Sequence, residues 1–222
     1  MTTGFIPAVD FVAQSHGKVF AGQCNLRQRC VVVNMTAAGK LKVLGISGSI
    51  RKASANSGLL RAAKEVAPND VEFEIADISR LPIFNSDLVD PDQPAEVVEF
   101  KEKVKSCDAI FFATPEYNFS VTPVLKNAID WCSNNPNVLN EKPCTMGSCG
   151  GGGGGALGQI ALRNVLVFPN VHPLNKPQLL IKLFDGSVEW DKETGDIKDE
   201  KWRGRIKAQV EALAVWARRI NP

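Results

Sequence analysis

From Lys40 onward the chain alternates between short apolar runs and stretches with helical spacing, and this alternation restricts the fold more than any other feature. Leu41-Lys42-Val43-Leu44-Gly45-Ile46-Ser47 reads as a strand ending in a turn. Leu59, Leu60, Ala62, Ala63 and Val66 follow at helical spacing, and Pro68 closes that helix. Val71, Phe73 and Ile75 alternate as a second strand. Val97, Phe100 and Val104 mark one face of a second helix, and Ala109–Ala113 is a buried strand. Thr122-Pro123 opens a third helix, with Thr as the cap and Pro at the first position. Lys142–Ser148 is a strand candidate, Gly150–Gly155 a loop, Ala156–Val165 a helix and Val165–Phe168 another strand. The tail from Asp199 to Ile220 is a helix, with Ile206, Val210, Leu213, Ala217 and Ile220 on one face. Strands alternating with helices predict an α/β fold around a parallel sheet.

The first 39 residues stand apart, with no sustained period and with Asp10 as their single acidic residue. They read as an N-terminal extension: a disordered tail, a targeting segment, or a stretch upstream of an alternative start at Met35. Residues 40–222 then form one domain. The balance of 26 basic against 24 acidic residues, net +2, argues against a nucleic-acid binder. No apolar run approaches the roughly 18 residues a membrane span needs. The six cysteines form no C-x-x-C pair, which argues against zinc or iron–sulfur sites, and they read as reduced, buried thiols. The expected location is the cytoplasm, or a chloroplast or mitochondrion if residues 1–39 are a transit peptide.

Parallel sheets bind ligands at the C-terminal ends of their strands. After the first strand come Ser47, Ser49, Arg51, Ser54, Asn56 and Ser57, a run of hydroxyls, amides and a cation that leads into a helix N-terminus. Free N–H groups and the helix dipole favour an anion there. Neither G-x-x-x-x-G-K-S/T nor G-x-G-x-x-G is present, so a phosphate cradle of another kind is expected. After the third strand, Pro115, Glu116, Tyr117, Asn118 and Phe119 offer a stiff turn with flat apolar surface, suited to a planar heterocycle. After the fourth, Ser148 and the run from Gly150 and Gly151 to Gly155 let the backbone approach a ligand without Cβ obstruction. A phosphate cradle, an aromatic turn and an open backbone together suit a flavin mononucleotide.

The runs Ser47–Asn56, Thr114–Ser120 and Leu125–Trp131 resemble the signatures of the NADPH-dependent FMN reductase family, most closely its quinone and chromate reductase branch. Leu162–Phe168, Asn175–Pro177 and the turn at Glu193–Gly195 are similar too, so the resemblance spans about residues 41–220. It implies a flavodoxin-like, doubly wound five-stranded sheet of order 2-1-3-4-5 with helices on both faces. It also implies bound FMN, NADPH or NADH as cosubstrate, and a quinone as acceptor, with azo dyes, chromate or free flavin as others. On this reading Ser47, Ser49, Arg51, Ser54, Asn56 and Ser57 hold the phosphate. Pro115, Glu116, Tyr117, Asn118 and Phe119 line the ring, and Ser148, Gly150 and Gly151 close its other side. Hydride passes through flavin N5 in a ping-pong cycle, no side chain acts as a catalytic acid or base, and no metal is involved. The chain is expected to form a homodimer or homotetramer. Leu157, Ile160 and Ala161 depart from the family, standing where it carries polar or aromatic groups. The rival reading is a flavodoxin-type electron carrier, a class that tends to be strongly acidic.

Overall fold

A computed structural model describes residues 39–89 and 93–221. The expectations for the extension, up to residue 38, lie outside the described residues. The elements run β1 (Leu41–Ser47), α1 (Ala55–Glu65), β2 (Val71–Ala76), a 3-10 turn (Ser86–Leu88), α2 (Ala95–Ser106), β3 (Ala109–Ala113), α3 (Pro123–Ser133), β4 (Pro143–Gly150), α4 (Ala156–Val165), β5 (His172–Pro173), β6 (Leu179–Lys182) and α5 (Glu200–Ile220). The strands pair in parallel in the order β2-β1-β3-β4-β5, and β6 also pairs with β4.

The fifth position of the sheet is filled twice. β5 pairs with Pro143 and Cys144 at the start of β4, and β6 with Gly147–Gly150 at its end. Both lie along one edge of β4, so the sheet has five positions and the expected 2-1-3-4-5 order. The strand expected at Val165–Phe168 is not there. Val165 finishes α4, Leu166 caps it and is fully buried, and Val167 and Phe168 lie in a turn, 75% and 85% exposed. A short apolar run at a helix end carries no period that separates it from a strand. The edge strand is instead β6, where Leu179 and Ile181 are buried and Lys182 faces outward.

β3 is buried along its whole length because helices cover both faces of the sheet. Its alternation sends Phe111 toward a core built with Leu59, Leu60, Ile206, Val210 and Leu213 of α1 and α5. Ile110 and Phe112 enter the opposite core with Phe100, Leu125, Ile129 and Leu162 of α2, α3 and α4. Each such large apolar side chain contributes roughly 1.5–3 kcal/mol on full burial. Thr122 caps α3 by accepting from the Leu125 N–H at 3.4 Å, and its hydroxyl donates to the Gly48 carbonyl at 2.6 Å. That second bond pins the loop after β1 against the start of α3. The same ends of β1, β3, β4 and β6 therefore open in one place.

Candidate functional site

That place is a cleft of about 330 Å³. On one side the loop after β1 supplies Ser49, Arg51, Ser54 and Asn56 to its lining. A chain of hydroxyls shapes the loop from behind. Ser47 and Ser57 Oγ lie 2.9 Å apart, the Ser49 N–H donates to Ser47 Oγ at 3.2 Å, and the Arg51 N–H to Ser49 Oγ at 3.4 Å. Ser54 caps α1 by accepting from the Ser57 N–H at 3.3 Å. Among the described residues, the Ala55 and Asn56 N–H groups at the start of α1 have no protein partner, and the Arg51 side chain has no ion pair. These donors and one cation converge on the cleft, which is the chemistry of a phosphate seat.

Three predicted cradle residues, Asn56, Ser47 and Ser57, do structural work. The Asn56 side chain donates to the Cys149 carbonyl at 2.9 Å and accepts from the Cys149 N–H at 3.0 Å. It thereby splices the start of α1 to the end of β4. The Cys149 thiol is 3% exposed, and burial pushes its ionisation far above the ordinary thiol range, so it serves as packing rather than as a nucleophile. Ser47 and Ser57 stand behind the loop and are absent from the cleft wall.

The turn after β3 faces this cradle. Tyr117 and Ser120 exchange both backbone bonds, at 3.0 and 2.9 Å. The two central residues, Asn118 and Phe119, have φ of 50° and 62°. This is the turn whose twist normally calls for Asn-Gly, so Phe119 is held in strained left-handed backbone, and neither Asn118 nor Phe119 lines the cleft. Pro115 is buried, whereas Tyr117 is 55% exposed and lines the cleft. Glu116 is turned to α4, its Oε2 accepting from the Leu157 N–H at 2.9 Å and the Gly158 N–H at 3.1 Å. Gly155 at the N-cap has no side chain, so the carboxylate of the preceding turn caps this helix.

The glycine run divides into two kinds of position. A Cβ on Gly155, at φ 85°, would lie 2.6 Å from Ser148 Cβ, whereas Gly151, Gly152 and Gly153 have open space around them. Ser148 is fully buried; it donates to the Gly154 carbonyl at 2.6 Å and accepts from Gln159 at 2.9 Å. It holds the loop in shape and does not reach the cleft, while Gly150 and Gly151 do.

Leu183 and Phe184 complete the wall and were not among the residues singled out from the sequence. They come just after β6, the strand that the misplaced run at Val165–Phe168 obscured. Beyond them, the turn at Glu193–Gly195 locks against α1. A Cβ on Gly58 would stand 1.9 Å from the Gly195 carbonyl oxygen. Arg61 donates to Asp196 Oδ1 and to the Thr194 carbonyl, both at 2.7 Å, and this guanidinium holds the Asp196 carboxyl below its ordinary range.

The pattern of the NADPH-dependent FMN reductase family matches residues 41–185. The chain belongs to this family. It is 43% identical over 183 residues to an NAD(P)H-dependent FMN reductase of Pseudomonas aeruginosa, covering 82% of this chain and 97% of that protein. It is 42% identical over 191 residues to an NAD(P)H:quinone oxidoreductase of Solanum tuberosum, covering 84% and 98%. Among solved structures, the flavoenzyme NAD(P)H:(acceptor) oxidoreductase of Paracoccus denitrificans superposes with a TM-score of 0.70 at 30% identity, covering 81% of this chain and 98% of that one. The site fits the family's cofactor. Unpartnered N–H groups and Arg51 suit a phosphate at one end, and Pro115, Tyr117 and the open glycine backbone suit a flat ring at the other.

Proposed function

We propose that the protein is an FMN-dependent NAD(P)H oxidoreductase that reduces quinones, with donor and acceptor using one site in turn. When bound, FMN would supply the hydride-transfer chemistry between NAD(P)H and the quinone. The observation that carries the reading is the convergence of three strand-end loops on one cleft, with an anion seat on one side and Tyr117 on the other. Ser49, Arg51, Ser54 and the first N–H groups of α1 hold the phosphate. Asn56 and Ser148 contribute as positioning residues, fixing the loops after β1 and β4. Glu116 keeps the aromatic turn seated on α4. The cleft wall contains no His, Asp or Lys, and its one carboxylate, Glu116, is committed to α4. The protons a quinone needs come from solvent.

Self-association as a homodimer or homotetramer is part of the proposal. Its support is apolar surface on α4 and the following turn, where Leu157, Ile160, Val167 and Phe168 are exposed. A cytoplasmic location is supported by the four described cysteines, all buried and free. No helix among the described residues is long and apolar enough to cross a membrane. The experiment is FMN retention by the full chain and by Arg51→Ala. The variant is expected to lose FMN about ten- to a hundredfold more readily, since a charge-assisted bond contributes about 1.5–3 kcal/mol. Unchanged retention removes Arg51 from the phosphate seat.

A further inference from the structure

We propose that Phe184 is the stacking platform for the adenine ring of NAD(P)H, a role that rests on the oxidoreductase reading above. Phe184 lines the cleft yet is 76% exposed. Its ring is braced by Trp190 in an edge-on contact, with centroids 6.5 Å apart and planes at 76°. Trp190 Nε1 donates to the Leu183 carbonyl at 3.3 Å, and the Leu183 N–H donates to the Gly150 carbonyl at 2.9 Å. The sheet ladder thus runs one residue past β6, to the residue before Phe184. Trp190 also bridges to Ile197, in the hairpin whose Gly195 is pressed against Ser54 and Gly58 of the phosphate side. A large exposed ring anchored to both β4 and α1 is a rigid flat surface facing solvent, which is what stacking a base requires.

The surroundings favour a nucleotide over a bare quinone ring. Leu183 and Trp190 pack on the α1–α5 core, and Phe184 shares the cleft wall with the phosphate loop, the glycine loop and Tyr117. Lys182, the last residue of β6, is exposed and stands two residues before Phe184. The neighbouring acid, Asp185, turns its carboxylate to the Ser187 N–H at 2.9 Å. A flat exposed ring with an exposed lysine two residues before it suits a base with phosphates attached, and a quinone carries no phosphate. Gly151, Gly152 and Gly153 share the cleft wall with Phe184 and have open space where a Cβ would stand.

The test uses the FMN-loaded full chain with Phe184→Ala, Phe184→Leu and Phe184→Trp. FMN content and melting temperature serve as controls, and the readouts are KM for NADPH, NADH and a benzoquinone, with the inhibition constant of 2′,5′-ADP. Phe184→Ala and Phe184→Leu are expected to raise both nucleotide KM values and the 2′,5′-ADP constant about tenfold, the size of a lost base–aromatic stack. kcat and the quinone KM should hold, and Phe184→Trp should restore nucleotide binding. Unchanged nucleotide constants, or a rise confined to the quinone KM, overturns the proposal. A chain that oxidises no NAD(P)H contradicts the functional reading instead; binding of 2′,5′-ADP by calorimetry still tests Phe184 in that event.

Discussion

Glu116 gives the sharpest perturbation, because one carboxylate joins the aromatic turn to α4. Its Oε2 accepts from the Leu157 and Gly158 N–H groups at 2.9 and 3.1 Å, and the N-cap Gly155 has no side chain to take over. Glu116→Ala leaves two helix N–H groups without their acceptor, which costs about 1 kcal/mol as a lost cap. Removing the negative charge from the positive end of the helix adds about 0.5 kcal/mol. The sum of about 1.5 kcal/mol lowers the melting temperature of a domain this size by about 3–6 °C. Glu116→Gln keeps an acceptor oxygen and loses only the charge, so it should cost about a third as much. Urea titration of wild type and both variants measures the series directly. The turn also carries Pro115 and Tyr117 into the cleft, so Glu116→Ala should weaken FMN binding more than Glu116→Gln does. Equal stability of wild type and Glu116→Ala would refute the capping argument.

The packing leads to two more expected outcomes. Gly58→Ala should destabilise by about 1–3 kcal/mol or more, because its Cβ would meet the Gly195 carbonyl at 1.9 Å, whereas Gly152→Ala, in open space, should be close to neutral in urea unfolding. The Arg61–Asp196 pair makes stability depend on acid: the folded Asp196 titrates below 3.8, so its contribution is full above that value and is lost as pH falls through the lowered one. Wild type should therefore lose stability on acidification below about pH 4 more steeply than Asp196→Asn, the pair being partly exposed and its contribution correspondingly modest.

Much of the fold was legible because its signals are local. β1 and β3 are short apolar runs, α1, β2 and α2 carry a helical or strand period, and Thr122-Pro123 and Asp199 mark helix starts where the structure places them. The outer edge of the sheet was not legible. β5 has two residues and β6 four, too short for a period, while Val165–Phe168 imitates a strand with the last turn of a helix. The site was legible in the residues at the C-terminal end of each strand, and Ser49, Arg51, Pro115, Tyr117, Gly150 and Gly151 do come together. Sequence could not tell that Asn56 also bonds the Cys149 backbone, that Glu116 serves α4, or that Ser148 points into the loop, because each depends on a partner brought close only by the fold. Leu183 and Phe184 were missed with the strand that delivers them.

A flavin seated between Arg51 and Tyr117 is the central claim, and one measurement tests it most directly. The full-length protein is purified, its visible absorbance recorded before and after added FMN, and NADPH oxidation followed with a benzoquinone present. The expected result is a yellow protein with stoichiometric FMN and quinone-dependent NADPH oxidation at many turnovers per flavin. A protein that stays colourless after added FMN, or that binds FMN and oxidises NADPH no faster with quinone than without, contradicts the claim.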